Sequence, residues 1–117
     1  VKRVVIPGCE TTDICILTRG HNASFEIDFI PSETVSSATA VVHGIIDHIP
    51  VPFGIDNPNA CVKSGLTCPL EAGKFYTYTT TLFIKEQYPA LRLIVKWELQ
   101  DSAKKDILCI LLGAEIR

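Results

Sequence analysis

An all-β fold, a sandwich of two antiparallel sheets, is predicted by three features of this 117-residue chain. Apolar and polar residues alternate with period two along most of its length. The alternating runs are rich in β-branched and aromatic residues, which fit the pleated surface of a strand. Between them lie short stretches of Pro, Gly, Asn, Asp and Ser, the residues of turns. Many short strands with regular turns in about a hundred residues form the pattern of a sandwich.

The opening "VKRVVI" reads as a short strand. In "SFEIDFI", Phe25, Ile27 and Phe29 share one face while Glu26 and Asp28 take the other, which predicts a half-buried strand with both carboxylates solvated. "ATAVVHGII" is apolar on both faces, and its length and flanking turns favour a strand that contains His43. "YTYTTTLFI" sets Tyr76, Tyr78, Thr80, Leu82 and Ile84 opposite Thr77, Thr79, Thr81 and Phe83. "LRLIVKWELQ" puts Leu91, Leu93, Val95, Trp97 and Leu99 opposite Arg92, Ile94, Lys96, Glu98 and Gln100; a helical period scatters those charges through the apolar side. "DILCILLGAEI" is again apolar on both faces and reads as a strand, which makes at least six. "PSETVSS", "DNPNA" and "QDSAKKD" supply turns, and no repeat, linker or low-complexity tract divides the single domain expected over residues 1–117.

A net charge of −2 and a pI near 5.9 offer no attraction to phosphate, and the largest cationic cluster is Lys104-Lys105, so nucleic acid is excluded as a partner. The longest apolar run, Ile107 to Ala114, is less than half of the roughly 20 residues that a spanning helix needs. Among the five cysteines, Cys9 and Cys15 are six apart and Cys61 and Cys68 seven apart, spacings that suit local loop-closing disulfides. Such loops are each worth roughly 2–2.5 kcal/mol on the chain-entropy model and imply an oxidising compartment, the cell exterior or an organelle lumen. Asn22-Ala23-Ser24 is an N-glycosylation acceptor in keeping with that location. Cys109 is left over in an apolar run, either a buried free thiol or a cysteine whose partner lies elsewhere.

Catalytic chemistry has little to stand on. The serines lack a G-x-S-x-G elbow, H-E-x-x-H does not occur, and C-x-x-C is missing. His21, His43 and His48 have no metal-ligand partner at useful spacing. No enzyme, cofactor or metal site is expected. An immunoglobulin domain carries Cys, then Trp, then Cys across its sheets, whereas Trp97 here follows four of the five cysteines. The sandwich is therefore not clamped through its middle, and its inner faces, about 10 Å apart when packed, would line an apolar slot when splayed.

The stretches "AVVHGI", "IPVPF", "SGLTCPLE" and "EQYPALRLIVKWELQD", together with the cysteine positions from Cys9 onward, resemble the ML family of lipid-recognition domains. Within it they are most similar to the small secreted sterol carriers, with a leaning toward arthropod members. The resemblance implies an immunoglobulin-like β-sandwich of two antiparallel sheets holding a hydrophobic ligand in a cavity between them. It also implies the disulfides Cys9–Cys15 and Cys61–Cys68, and a third bridge from Cys109 to a cysteine in an N-terminal stretch that the given sequence lacks. The mouth of the cavity falls on Phe53 of the Pro-Val-Pro-Phe turn and on Ile84 and Tyr88, with Pro89 beside them. Trp97 matches a tryptophan on a pocket-facing strand, and Val51, Tyr78 and Ile110 complete the implied ligand-binding set. Two features depart from the vertebrate carriers: Ile110 stands where they place a second tryptophan, and Asp47 and His48 interrupt the apolar approach to the turn.

The function expected is that of a monomeric soluble carrier, secreted or in the endosome-lysosome lumen. Its cargo is a long-chain fatty acid or similar linear lipid, favoured by the branched Ile110 in place of a flat indole, and passed to a membrane or lipid-accepting receptor. A sterol-transport protein is the alternative expectation, and a lipid-presenting immune co-receptor module the second.

Overall fold

The computed structural model describes residues 1–7, 9, 14–55 and 57–117. Eight strands run in the order β1 (Arg3–Val5), β2 (Cys15–Leu17), β3 (Asn22–Phe29), β4 (Thr39–Ile46), β5 (Ile49–Phe53), β6 (Tyr76–Phe83), β7 (Arg92–Gln100) and β8 (Asp106–Ile116). They form a three-stranded sheet in the order β1-β3-β6 and a five-stranded sheet in the order β2-β8-β7-β4-β5. No helix occurs among the described residues. The six strands expected from periodicity are all present, and β2 and β5 are additional.

Both sheets are antiparallel except at one edge, where β2 lies parallel to β8 with Cys15 opposite Ala114. That pairing departs from the purely antiparallel expectation. A three-residue strand separated from its partner by nearly the whole chain needs no hairpin and is free to run in either direction.

The core follows the period-two pattern. Phe25, Ile27 and Phe29 of β3, Tyr76, Tyr78 and Leu82 of β6, Val42 of β4, and Leu93, Val95, Trp97 and Leu99 of β7 are all buried. Trp97 is the hinge of the packing between sheets: its ring centroid lies 5.1 Å from Phe25 and 6.3 Å from Tyr78, both on the opposite sheet. Aromatic pairs at such separations contribute roughly 0.5–1.5 kcal/mol beyond the area they bury.

One carboxylate expected in solvent is not there. Glu26 is exposed, but Asp28 is only 7% exposed. Arg3 Nε donates to Asp28 Oδ2 at 3.1 Å and Thr77 Oγ1 donates to Oδ1 at 2.8 Å. The cause is lateral: β3 is the central strand, and its outward side chains are covered by partners on β1 and β6. Glu98 on central β7 is likewise 7% exposed, with Lys96 Nζ 3.7 Å away and Gln100 Nε2 donating at 3.4 Å.

The segment after β5 is tied to both sheets. Ala60 N donates to Ala38 O at 2.9 Å and Ala40 N to Pro58 O at 2.7 Å, while Thr79 N donates to Ser64 O at 2.9 Å. Cys61 and Cys68 are bridged within it, and the buried Ser64 hydroxyl donates to Ala60 O. The segment thus spans from β4 of the larger sheet to β6 of the smaller one. Asp56, the first residue of its "DNPNA" turn, lies outside the described residues.

Candidate functional site

The Pro-Val-Pro-Phe stretch, expected as a turn, is edge strand β5. The turn comes just before it. Ile46 pairs with Ile49, which leaves Asp47 and His48 as a two-residue hairpin loop with φ of 49° and 67°. Two left-handed residues are what a type I′ hairpin requires, and Asp and His are among the non-glycine residues that tolerate that region best. Proline disrupts a central strand because it has no N–H for the ladder, but it is accepted at an edge. Pro50 opposite Ile45 and Pro52 opposite His43 therefore mark β5 as the end of the sheet.

This register builds one row across the larger sheet. Phe53 lies opposite Val42, Val42 opposite Trp97, and Trp97 opposite Ile110. Paired residues present their side chains on the same face. The row descends in exposure from the half-buried Phe53 at the rim to Val42 and Trp97, both fully buried, and ends at half-buried Ile110. Val51, opposite Gly44, shares the face of Phe53 and stays exposed at the rim.

Gly44 sets where Phe53 rests. A Cβ at Gly44 would lie 2.6 Å from Phe53 Cε2 and 2.8 Å from Leu93 Cδ1, so the ring occupies the space of the absent side chain. On its other side Phe53 meets Tyr88, with ring centroids 5.3 Å apart. Tyr88 sits in the turn after β6, where its N–H donates to Lys85 O at 3.1 Å and its carbonyl accepts from Arg19 Nη1 at 3.5 Å. Pro89 is exposed beside it. Phe53 and Tyr88 thus meet at one rim, with Val51 and Pro89 exposed next to them in the chain.

Ile84 is elsewhere. It is 2% exposed, its N–H donates to His21 O at 3.0 Å, and it lines a cavity of about 330 Å³ with Ile6, Leu17 and the bridged Cys9 and Cys15. Neither Phe53 nor Tyr88 lines that cavity. Asn22, exposed at the start of β3, lies at its edge.

Inside the sandwich, Tyr78 Oη and Trp97 Nε1 are buried and have no hydrogen-bond partner among the described residues. Burial pushes the Tyr78 hydroxyl pKa up. Thr80 and the Trp97 indole lie near enough to offset this in part but do not reach hydrogen-bond geometry.

Cys109 is exposed, which corrects the buried-thiol reading, and it has no disulfide partner among the described residues. Strand β8 alternates, so Leu108 and Ile110 turn inward and Cys109 turns outward, opposite Glu98. Ligand atoms of Glu98, Asp106 and Cys109 all lie within 4.8 Å of one another. Partial desolvation, and then the Glu98 and Asp106 carboxylates, push the Cys109 thiol pKa up, with Lys96 opposing. This cluster escapes a reading of sequence alone because it is assembled by cross-strand register.

An immunoglobulin-like sandwich with an apolar row leading inward from an aromatic rim defines a lipid-recognition domain. The ML domain model matches residues 1–116, and the chain belongs to that family. It is 47% identical to NPC intracellular cholesterol transporter 2 homolog a of Drosophila melanogaster, over 98% of this chain and 78% of that one. With NPC intracellular cholesterol transporter 2 of Mus musculus it shares 39% identity over 93% of this chain and 72% of the mouse protein. The crystal structure of a Niemann-Pick type C2 protein from Japanese carpenter ant superposes with a TM-score of 0.92 at 29% identity, covering 98% of this chain and 89% of the ant chain.

Proposed function

We propose that this protein is a carrier, not an enzyme, that shields a sterol between its two sheets and passes it to an acceptor membrane or protein. The observation that carries the reading is the row Phe53, Val42, Trp97, Ile110, which leads from a solvent-facing aromatic rim to the middle of the sandwich in a chain so similar to cholesterol transporters. Burying roughly 400 Å² of apolar ligand surface at about 25 cal/mol per Å² is worth on the order of 10 kcal/mol gross. Ordering of ligand and rim takes back a substantial part of that, which leaves micromolar or tighter affinity. The Cys9–Cys15 and Cys61–Cys68 bridges support residence in an oxidising space, outside the cell or in an organelle lumen.

A linear lipid is the second reading, and Ile110 is what favours it. Directly opposite Trp97 it offers a branched aliphatic wall where a second flat ring would face a sterol nucleus. The near full-length identity to cholesterol transporters outweighs that single position. Displacement of a fluorescent sterol by cholesterol and by oleate separates the two readings. Cholesterol displacing the probe at far lower concentration than oleate supports the sterol; the reverse order replaces it with a fatty acid.

A further inference from the structure

Asn22 opens β3 and is the acceptor position of the one Asn-x-Ser/Thr tripeptide in the sequence, Asn22-Ala23-Ser24. Alternation along β3 turns Phe25 and Ile27 into the core, so Asn22, Ser24 and Glu26 face outward from the three-stranded sheet, and all three are exposed. Neither the Asn22 amide nor the Ser24 hydroxyl is engaged by a hydrogen bond among the described residues. Such a tripeptide occurs by chance often enough that sequence alone decides little.

The register adds what the sequence lacks. Asn22 lies directly opposite Phe83, the last residue of β6. Toward the turn the next pair, His21 and Ile84, is joined by the Ile84 N–H donating to His21 O at 3.0 Å. Bonded and unbonded pairs alternate in an antiparallel ladder, so Asn22 and Phe83 form an unbonded pair, the kind whose side chains stand closest on their shared face. Phe83 is 44% exposed. A lone exposed phenylalanine needs no explanation by itself, but the outward faces of β3 and β6 are otherwise polar, with Ser24 opposite Thr81 and Glu26 opposite Thr79. The single aromatic ring of those faces thus stands beside the single acceptor asparagine. One face of an N-acetylglucosamine ring presents only C–H groups, and laid on a phenyl ring it removes apolar surface from water while the sugar hydroxyls stay hydrated.

We propose that Asn22 carries an N-linked glycan whose first N-acetylglucosamine rests on the Phe83 ring. In forming it, Asn22 Nδ2 bonds to the anomeric carbon of that sugar and the amide gives up a proton. The bond from the same carbon to a lipid pyrophosphate breaks, and its electron pair leaves with the pyrophosphate. The donor, a lipid-pyrophosphate oligosaccharide, is met in the secretory lumen, the oxidising space to which the Cys9–Cys15 and Cys61–Cys68 bridges also point. The glycan covers the outer face of the smaller sheet, whereas the row from Phe53 to Ile110 lies on the inward face of the larger one.

The test is secretion of the wild type, Asn22→Gln, Ser24→Ala, Phe83→Ala and the Asn22→Gln, Phe83→Ala double variant from a host that builds high-mannose glycans, followed by peptide mapping and thermal melting. Expected is a glycan on the peptide containing Asn22 in wild type and Phe83→Ala, and none in Asn22→Gln or Ser24→Ala. An unmodified Asn22 in the secreted wild type overturns the site. The wild type is expected to melt about 2–5 °C above Asn22→Gln, while in the Phe83→Ala background loss of the acceptor shifts melting by less than about 1 °C. Trimming the wild-type glycan to its first sugar with an endoglycosidase should preserve the advantage, because that sugar alone meets the ring. An equal shift in both backgrounds, or loss of the advantage on trimming, overturns the seat on Phe83.

Discussion

Phe53 lies against the bare backbone of Gly44, so close that a single added methyl would stand 2.6 Å from its ring. The residue at the rim is therefore positioned by the lack of a side chain on the neighbouring strand. Gly44 is in an ordinary strand and is needed for space, not for an unusual backbone angle.

Gly44→Ala is expected to drive the Phe53 ring off its seat and away from Tyr88, with Leu93 also crowded. Overpacking of this kind costs roughly 1–3 kcal/mol. A fall in the urea midpoint accompanied by about tenfold weaker sterol binding is the expected pair of results. Undiminished binding removes the Phe53 seat from the site.

Phe53→Asp should abolish lipid binding and leave the sandwich folded. A carboxylate at this rim either stays hydrated, drawing water to the ligand's edge, or is desolvated at a cost of several kcal/mol. The following segment remains held by Cys61–Cys68 and by its hydrogen bonds to both sheets, so a native circular dichroism spectrum is expected. Wild-type affinity in this variant for every lipid tested would exclude Phe53 as a contact.

Asp28 and Arg3 are unequal partners. The carboxylate is buried and also accepts from Thr77, whereas the arginine side chain is 65% exposed. Asp28→Ala strips the half-buried Thr77 hydroxyl of its acceptor and should destabilise by roughly 1–3 kcal/mol. Arg3→Ala should cost less than about 1 kcal/mol, as exposed ion-pair partners do. Equal shifts of the two urea midpoints contradict this arrangement.

The raised pKa of Cys109 makes its thiolate scarcer than that of an ordinary cysteine at any given pH. In the 117-residue chain, alkylation by iodoacetamide should accelerate only at a pH above the midpoint of a free cysteine peptide. Glu98→Gln, which removes the larger of the two carboxylate contributions, should shift that midpoint down. Peptide mapping should find no bridge from Cys109 to Cys9, Cys15, Cys61 or Cys68, which are paired among themselves. Pairing of Cys109 with a cysteine outside these residues remains our proposal for a longer chain.

The strands that alternate cleanly were legible from period alone. β3, β6 and β7 each place their inward set where the sequence put it, with Trp97 and Tyr78 at the centre. β5 was not, because two prolines in five residues mimic a turn unless the strand is known to be an edge. Asp28 misled for the opposite reason: alternation correctly turned it away from the core, but only sheet order shows that neighbouring strands cover it, as they cover Glu98. The rim residues Phe53 and Tyr88 came through family resemblance, while their contact and the row from Phe53 to Ile110 depend on registers between strands far apart in sequence. The contact of Tyr78 with Trp97 was invisible for the same reason, since the two rings come from different sheets.

Trp97 is the only tryptophan, fully buried where the sheets meet, and so reports on the space between them without any label. A sterol brominated on its side chain quenches an indole only at close approach. Titration of the protein with that sterol, against cholesterol as the unquenching control, is expected to give saturable loss of Trp97 fluorescence with a one-to-one endpoint. Phe53→Asp should remove the loss. Stoichiometric sterol binding, measured by sedimentation with the lipid, that leaves Trp97 fluorescence untouched would contradict a ligand site between the two sheets.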